Sequence, residues 1–351
     1  MTRARTRNPR TATVLAAACA LALPLATARS SAAAQLDAFA SVEAGTAGPC
    51  TVTPVFFPGG PVFSGTYGVP VDFQACGFSA DSGRSDVVEP SGAADASWIA
   101  SSAQFSGASQ AHAEFGVLGA MASGTNTAQG NGLGNAAGAF GAFTDTLTVT
   151  SALQPNGNGG YVVLHFGVDG QISVHNGSYD PGVQQLLGRA DARVAVRVGT
   201  TPANVLVAQV VLNGPQVPST TPLNASGFSA TQEPTGWTFT GSTTAHSPPL
   251  AIEFGTPFVF SAALLAEAYP QTESLASGDA SADFFTTATL TQIEILDAGQ
   301  TPVPRWQLSA ESGTRYAPEP EASLAAAAAL ATLLALASGL RRSALLSAPR
   351  S

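Results

Sequence analysis

The chain is 351 residues long and carries 14 arginines, no lysine and 23 acidic residues, a formal charge of −9 with only 11% of residues charged. Thirty-six glycines and 24 prolines exclude a helical bundle or coiled coil as its bulk, because both residues break helices. The acidic balance argues against binding a phosphate backbone, which needs clustered cations to release counterions.

Residues 1–34 open with Arg3, Arg5, Arg7 and Arg10, run through an apolar stretch from Ala12 to Ala26 and finish in small residues. This is the three-part layout of a secretory signal peptide, with cleavage expected after Ala28 or after Ala34. Cys19 does not read as a lipidation site, since Ala16 stands three residues before it and the apolar run continues past it.

The exported segment 35–317 holds six arginines (84, 189, 193, 197, 305 and 315) against 21 acids, a formal charge of −15. Such a surface repels other acidic polymers and favours cations, extracellular Ca²⁺ among them. Cys50 and Cys76 are the two cysteines left after the signal peptide, and in an oxidising compartment they read as one disulfide worth about 3 kcal/mol in the loop-entropy account. The Pro- and Gly-rich stretch between them has little periodicity and needs such a tie.

Residues 91–142 are dominated by Ala, Gly and Ser. They suit either a flexible spacer or strands whose small side chains let a facing sheet approach, and the scattered Trp98, Ile99, Phe105, Phe115, Leu118, Phe140 and Phe143 favour strands. Further on, Tyr161–Val168 and Gln171–His175 flank Asp169-Gly170, which predicts a hairpin with a type I′ turn. Ala192–Val198 alternates, placing Val194, Val196 and Val198 on one face and Arg193, Ala195 and Arg197 on a solvated one. Ala203–Leu212 reads as a more central strand, Pro257–Ala268 as strand or short helix, and Ala282–Leu296 as another alternating strand. The sum predicts an all-β antiparallel sandwich, jelly-roll-like, over 35–317.

Chemistry is sparse. Gly-x-Ser-x-Gly, His-Glu-x-x-His, P-loop and Rossmann patterns are absent from the sequence. In the predicted hairpin His165 and His175 are diagonal neighbours, but zinc would need two further ligands; His112 and His246 complete the histidine set. Glu253, Glu267, Asp283 and Glu294 read as solvated strand residues, and Asp169, Asp180 and Asp297 as turn residues rather than calcium ligands. Trp98 and Trp237 could stack on sugar rings, whereas Trp306 falls in a stretch expected to be a stalk. The expectation is therefore a non-catalytic exported protein, with a carbohydrate-binding or carbohydrate-active sandwich as the alternative. A concave face with a tryptophan and two carboxylates would favour that alternative, and a Ser/Thr-covered face the non-catalytic role.

At the other end, Ala322–Leu340 is free of charge between Glu321 and Arg341-Arg342. A helix of that length reaches about 28 Å, enough to span a bilayer, and the arginine pair places the preceding chain outside the cytoplasm. Pro318-Glu319-Pro320, the span 322–340 and the Arg-bearing tail resemble the PEP-CTERM sorting signal of Gram-negative envelope proteins. Two details depart from that family: Ala317 stands where Val is frequent, and the tail from Ser343 to Ser351 is long. The resemblance implies an exosortase-type membrane protease as partner. It also implies transient anchoring in the inner membrane, then release to the cell surface or medium in association with exopolysaccharide or biofilm.

Overall fold

In the computed structural model, the small-residue stretch is strand rather than spacer, and the reason is visible in what faces it. The structure describes residues 34–43, 83–101, 105–127, 136–176, 187–213, 226–270 and 277–316, together with 51–52, 71–72 and 219–220. The strands are β1 (Gln35–Glu43), β2 (Thr51–Val52), β3 (Val71–Asp72), β4 (Gly83–Glu89), β5 (Ala94–Ser101) and β6 (Phe105–Glu114). They continue with β7 (Val117–Asn126), β8 (Ala136–Thr150), β9 (Gly159–Asn176), β10 (Leu187–Val198), β11 (Thr201–Asn213) and β12 (Ser219–Thr220). The last are β13 (Phe228–Glu233), β14 (Gly236–His246), β15 (Leu250–Glu253), β16 (Phe258–Tyr269), β17 (Gly278–Asp297) and β18 (Gln307–Ala310). Among the described residues there is no helix, so Pro257–Ala268 resolves as the strand β16.

Two eight-stranded antiparallel sheets carry nearly all of this. Sheet I runs β12-β11-β10-β16-β8-β1-β4, with β18 on the far end of β8; sheet II runs β13-β14-β9-β17-β7-β6-β5, with β15 on the start of β9. They stack with β4 over β5, β8 over β6 and β7, β16 over β7 and β17, and β10 over β17 and β9. The fold is an antiparallel β-sandwich. A jelly roll has eight strands in two Greek keys, whereas here each sheet alone has eight, and the late strands β16 and β17 are inserted at the centres of sheets built from earlier ones.

The core between the sheets is filled by one face of each strand: Leu36 to Val42 at alternate positions on β1, Val194 and Val196 on β10, Phe260 and Leu264 on β16, Phe166 and Ile172 on β9. Alanines do the same on β5 to β8, and there the sheets come so close that a Cβ on Gly141 would strike the backbone carbonyl of His112. Small side chains in 91–142 thus permit close sheet contact, which larger residues would forbid.

Three local expectations are corrected. Asp169-Gly170 is not a turn. β9 runs straight through it, and Asp169 and Gly170 pair with Ser242 and Gly241 of β14. Gly170 is glycine because the Phe284 ring lies on it, 2.5 Å from where a Cβ would be. Consequently His165 and His175 lie along one strand instead of across a hairpin. Next, the Arg193/Arg197 face of β10 is not solvated, since Arg193 is 8% and Arg197 1% exposed. Lastly, Trp306 is buried in the core and is not part of a stalk, because β18 continues sheet I immediately after it.

Candidate functional site

Strand periodicity sends alternate residues of sheet II outward, and the register places those residues in rows. Thr240, Ser242 and Thr244 of β14 lie beside Gln171, Asp169 and Gly167 of β9. Ser173 and Gln171 then meet Ser281 and Asp283 of β17, which meet Ser123 and Met121 of β7. Hydroxyls bridge the rows, as in Ser173 Oγ to Ser281 Oγ at 2.7 Å and Thr238 Oγ1 donating to Glu233 Oε1 at 2.8 Å. The result is a broad polar face of Ser, Thr and Gln with scattered acids.

The histidines belong to this same face, and three of them lie beside carboxylates. His112 Nδ1 is 2.7 Å from Asp95, and His175 lies 3.0 Å from Asp279 and 3.2 Å from Glu233. His165 Nε2 is 3.5 Å from Glu294, with its ring centroid 5.8 Å from that of His246. Among the described residues no group of three or more His, Cys, Asp and Glu is arranged to hold a metal ion.

The two candidate stacking tryptophans do not share this face. Trp237 pairs with Val174 and packs against the core, while Trp98 stands 36% exposed on β5, at the side of the sandwich. Glu253 and Asp283 are exposed, and Asp297 accepts the N–H groups of Gly299 and Thr301, capping a turn as expected. Pro318, Glu319, Pro320, Arg341, Arg342, Cys50, Cys76 and Asp180 lie outside the described residues. So do residues 1–33 and the span 322–340, and no described helix is long and apolar enough to cross a membrane.

Glu267 is the carboxylate the sequence misplaced. It is fully buried on the outer side of sheet I, opposite Asp191, and no described strand packs on that side. Asp191 is gripped by Arg189 Nε at 2.9 Å and Arg193 Nε at 3.1 Å, and Tyr269 donates to Glu267 Oε1 at 3.1 Å. The Arg189 guanidinium lies 5.4 Å over the Tyr269 ring. Half of the six arginines of 35–317 thus sit on β10, and Arg197 donates to Ser261, which bonds Thr144. Arg189, Asp191 and Arg193 recur at every second residue with alternating sign. That spacing was the available signal, because opposite charges on one strand face can be buried together.

Burial first, then the Asp191 charge, pushes the Glu267 carboxyl well above the ordinary range, with Arg189 and Arg193 pulling the other way. A carboxyl raised in the folded state favours folding fully below its unfolded pKa of about 4.3 and loses that contribution as pH rises toward its folded value. Glu267→Gln, which carries an N–H where the acid carries its proton, should remove this loss. Urea unfolding at pH 4.5 and 7.5 should show the variant gaining on the wild type at the higher pH; parallel behaviour would refute the assignment.

At the other end of β8, Thr150, Ser151, Ala152, Arg305, Trp306 and Gln307 line an open groove of about 340 Å³ where β18 begins. It offers no carboxylate pair. What fold and site define is thus an all-β sandwich with one broad polar face and buried ion pairs on the other sheet. The chain matches no protein-family model, no curated protein and no solved structure.

Proposed function

We propose that this is a non-catalytic, exported cell-surface or matrix protein, sorted by its Pro318-Glu319-Pro320 signal and held in the inner membrane by 322–340. An exosortase-type protease then processes it, and it associates with exopolysaccharide or biofilm. The Ser/Thr-covered outer face of sheet II carries this reading, since it gives a large hydrated surface. The enzyme alternative is weakened by the same geometry. The cross-strand carboxylate pair Asp191 and Glu267 is 0% exposed, out of reach of a sugar, and Trp237 faces the core.

The test is the intact mass of the protein recovered from its host's envelope and medium. Loss of the first ~34 residues and of the chain near and beyond Pro320 is the expected result. A species that retains Arg341 and Arg342 overturns the processing step.

A further inference from the structure

Both sheets end on the same side of the sandwich, in β4 and β5, and each of these strands has one described partner, β1 and β6 respectively. A strand with one partner presents a row of unsatisfied N–H and C=O groups, which natural proteins guard with lysine, proline, a bulge or a short edge. β5 has none of these guards. The chain has no lysine, β5 contains no proline, its register with β6 is unbroken, and it is eight residues long. Its single charge, Asp95, is taken up by His112 at 2.7 Å, so Ala96–Ser101 is an uncharged edge on a chain of net charge −9. Three of the four large apolar side chains exposed among the described residues are here: Val88 at 54%, Trp98 at 36% and Ile99 at 75%.

We propose that this side wall docks a second copy of the chain, β5 against β5 in antiparallel pairing about a two-fold axis normal to the sheets. That axis keeps outer faces with outer faces. Centred on Trp98, the pairing sets Ile99 opposite Ser97 and Ala100 opposite Ala96, so each bulky residue off the axis meets a small one. Asp95 falls opposite Ser101 and meets no like charge. A foreign acidic or basic peptide would find no counter-charge along β5, whereas the chain's own edge is complementary to itself. The inference does not depend on how the chain is sorted.

Sedimentation velocity on the protein as recovered from its host tests this, with Ile99→Lys as the probe and Thr240→Lys, on the same outer face but remote from the edge, as the control. The wild type and the control should sediment at twice the monomer mass, and Ile99→Lys should lose half of it with an unchanged circular dichroism spectrum. Should Ile99→Lys misfold, Ser97→Lys, also outward and exposed, decides in the same way. A wild type that stays monomeric overturns the proposal, and so does a dimer that survives a lysine at the edge.

Discussion

Replacing Asp191 by alanine should cost about 3–5 kcal/mol, among the largest effects available to a single substitution in this domain. The carboxylate is fully buried and is the near partner of two arginines, Arg189 Nη2 at 2.7 Å and Arg193 Nε at 3.1 Å. Burial works against the Arg189 charge, yet Asp191 and then Glu267 beside it hold its pKa above the ordinary arginine value. Removing Asp191 leaves that charge in a desolvated place with Glu267 as its one remaining carboxylate, 3.6 Å away and itself pushed toward its neutral form. Urea unfolding gives the number, read as a fall in the midpoint at unchanged slope. In an Arg193→Leu background the same substitution should cost less, because one of the two charges that Asp191 holds is already gone. A loss below about 1 kcal/mol would mean the set behaves as a hydrated surface network.

Why the sequence conceals this set follows from how it is assembled. Arg193 and Arg197 alternate with valines, and a charge every second residue reads as the wet side of a strand. What reverses that reading is Glu267, supplied by β16 from far along the chain and seated opposite Asp191 by register. A non-local pairing of this kind leaves no local trace. β9 is a different case, because there the signal lies in the phase of the apolar residues. Val162, Leu164, Phe166, Val168, Ile172 and Val174 all fall on even positions, so an uninterrupted strand puts all six in the core. A two-residue turn at Asp169-Gly170 would instead send Ile172 and Val174 to the opposite face from Val168. Six residues in one phase decide against the local Asp-Gly turn signal. The same test exposes a bulge in β17, where Ala288 and Leu290 are even but Ile293 and Ile295 odd, and the register slips between Leu290 and Gln292. The class of the fold was legible because alternation and the scarcity of helical periodicity are local properties. The polar face of sheet II was not, since it exists only once seven strands are set side by side.

Tyr316 should be the other position where one substitution is severe. Its ring is 7% exposed, stacked on Phe143 at 5.8 Å and edge-on to Phe260 at 5.9 Å. Its hydroxyl donates to Asp145 Oδ2 at 2.6 Å. Burial, then that bond to Asp145, pushes the phenol well above the ordinary tyrosine range, so it stays a donor at any physiological pH. Asp145 is fully buried and also accepts from the Ser312 hydroxyl, the Ser312 N–H at 3.1 Å and the Thr146 N–H at 2.7 Å. One carboxylate on β8 thus fastens the segment after β18 into the end of the sandwich, two residues before Pro318. Tyr316→Ala should cost about 3–5 kcal/mol, because it empties an aromatic site and takes a donor from a buried charge. Tyr316→Phe keeps the ring packing and leaves Asp145 three donors, so about 1–2 kcal/mol is expected. Thermal unfolding ranks the two, and limited proteolysis separates global from local loss, since a detached Glu311–Tyr316 segment should be cut first. If alanine costs no more than phenylalanine, the ring carries no packing energy and the fold closes at β18 instead.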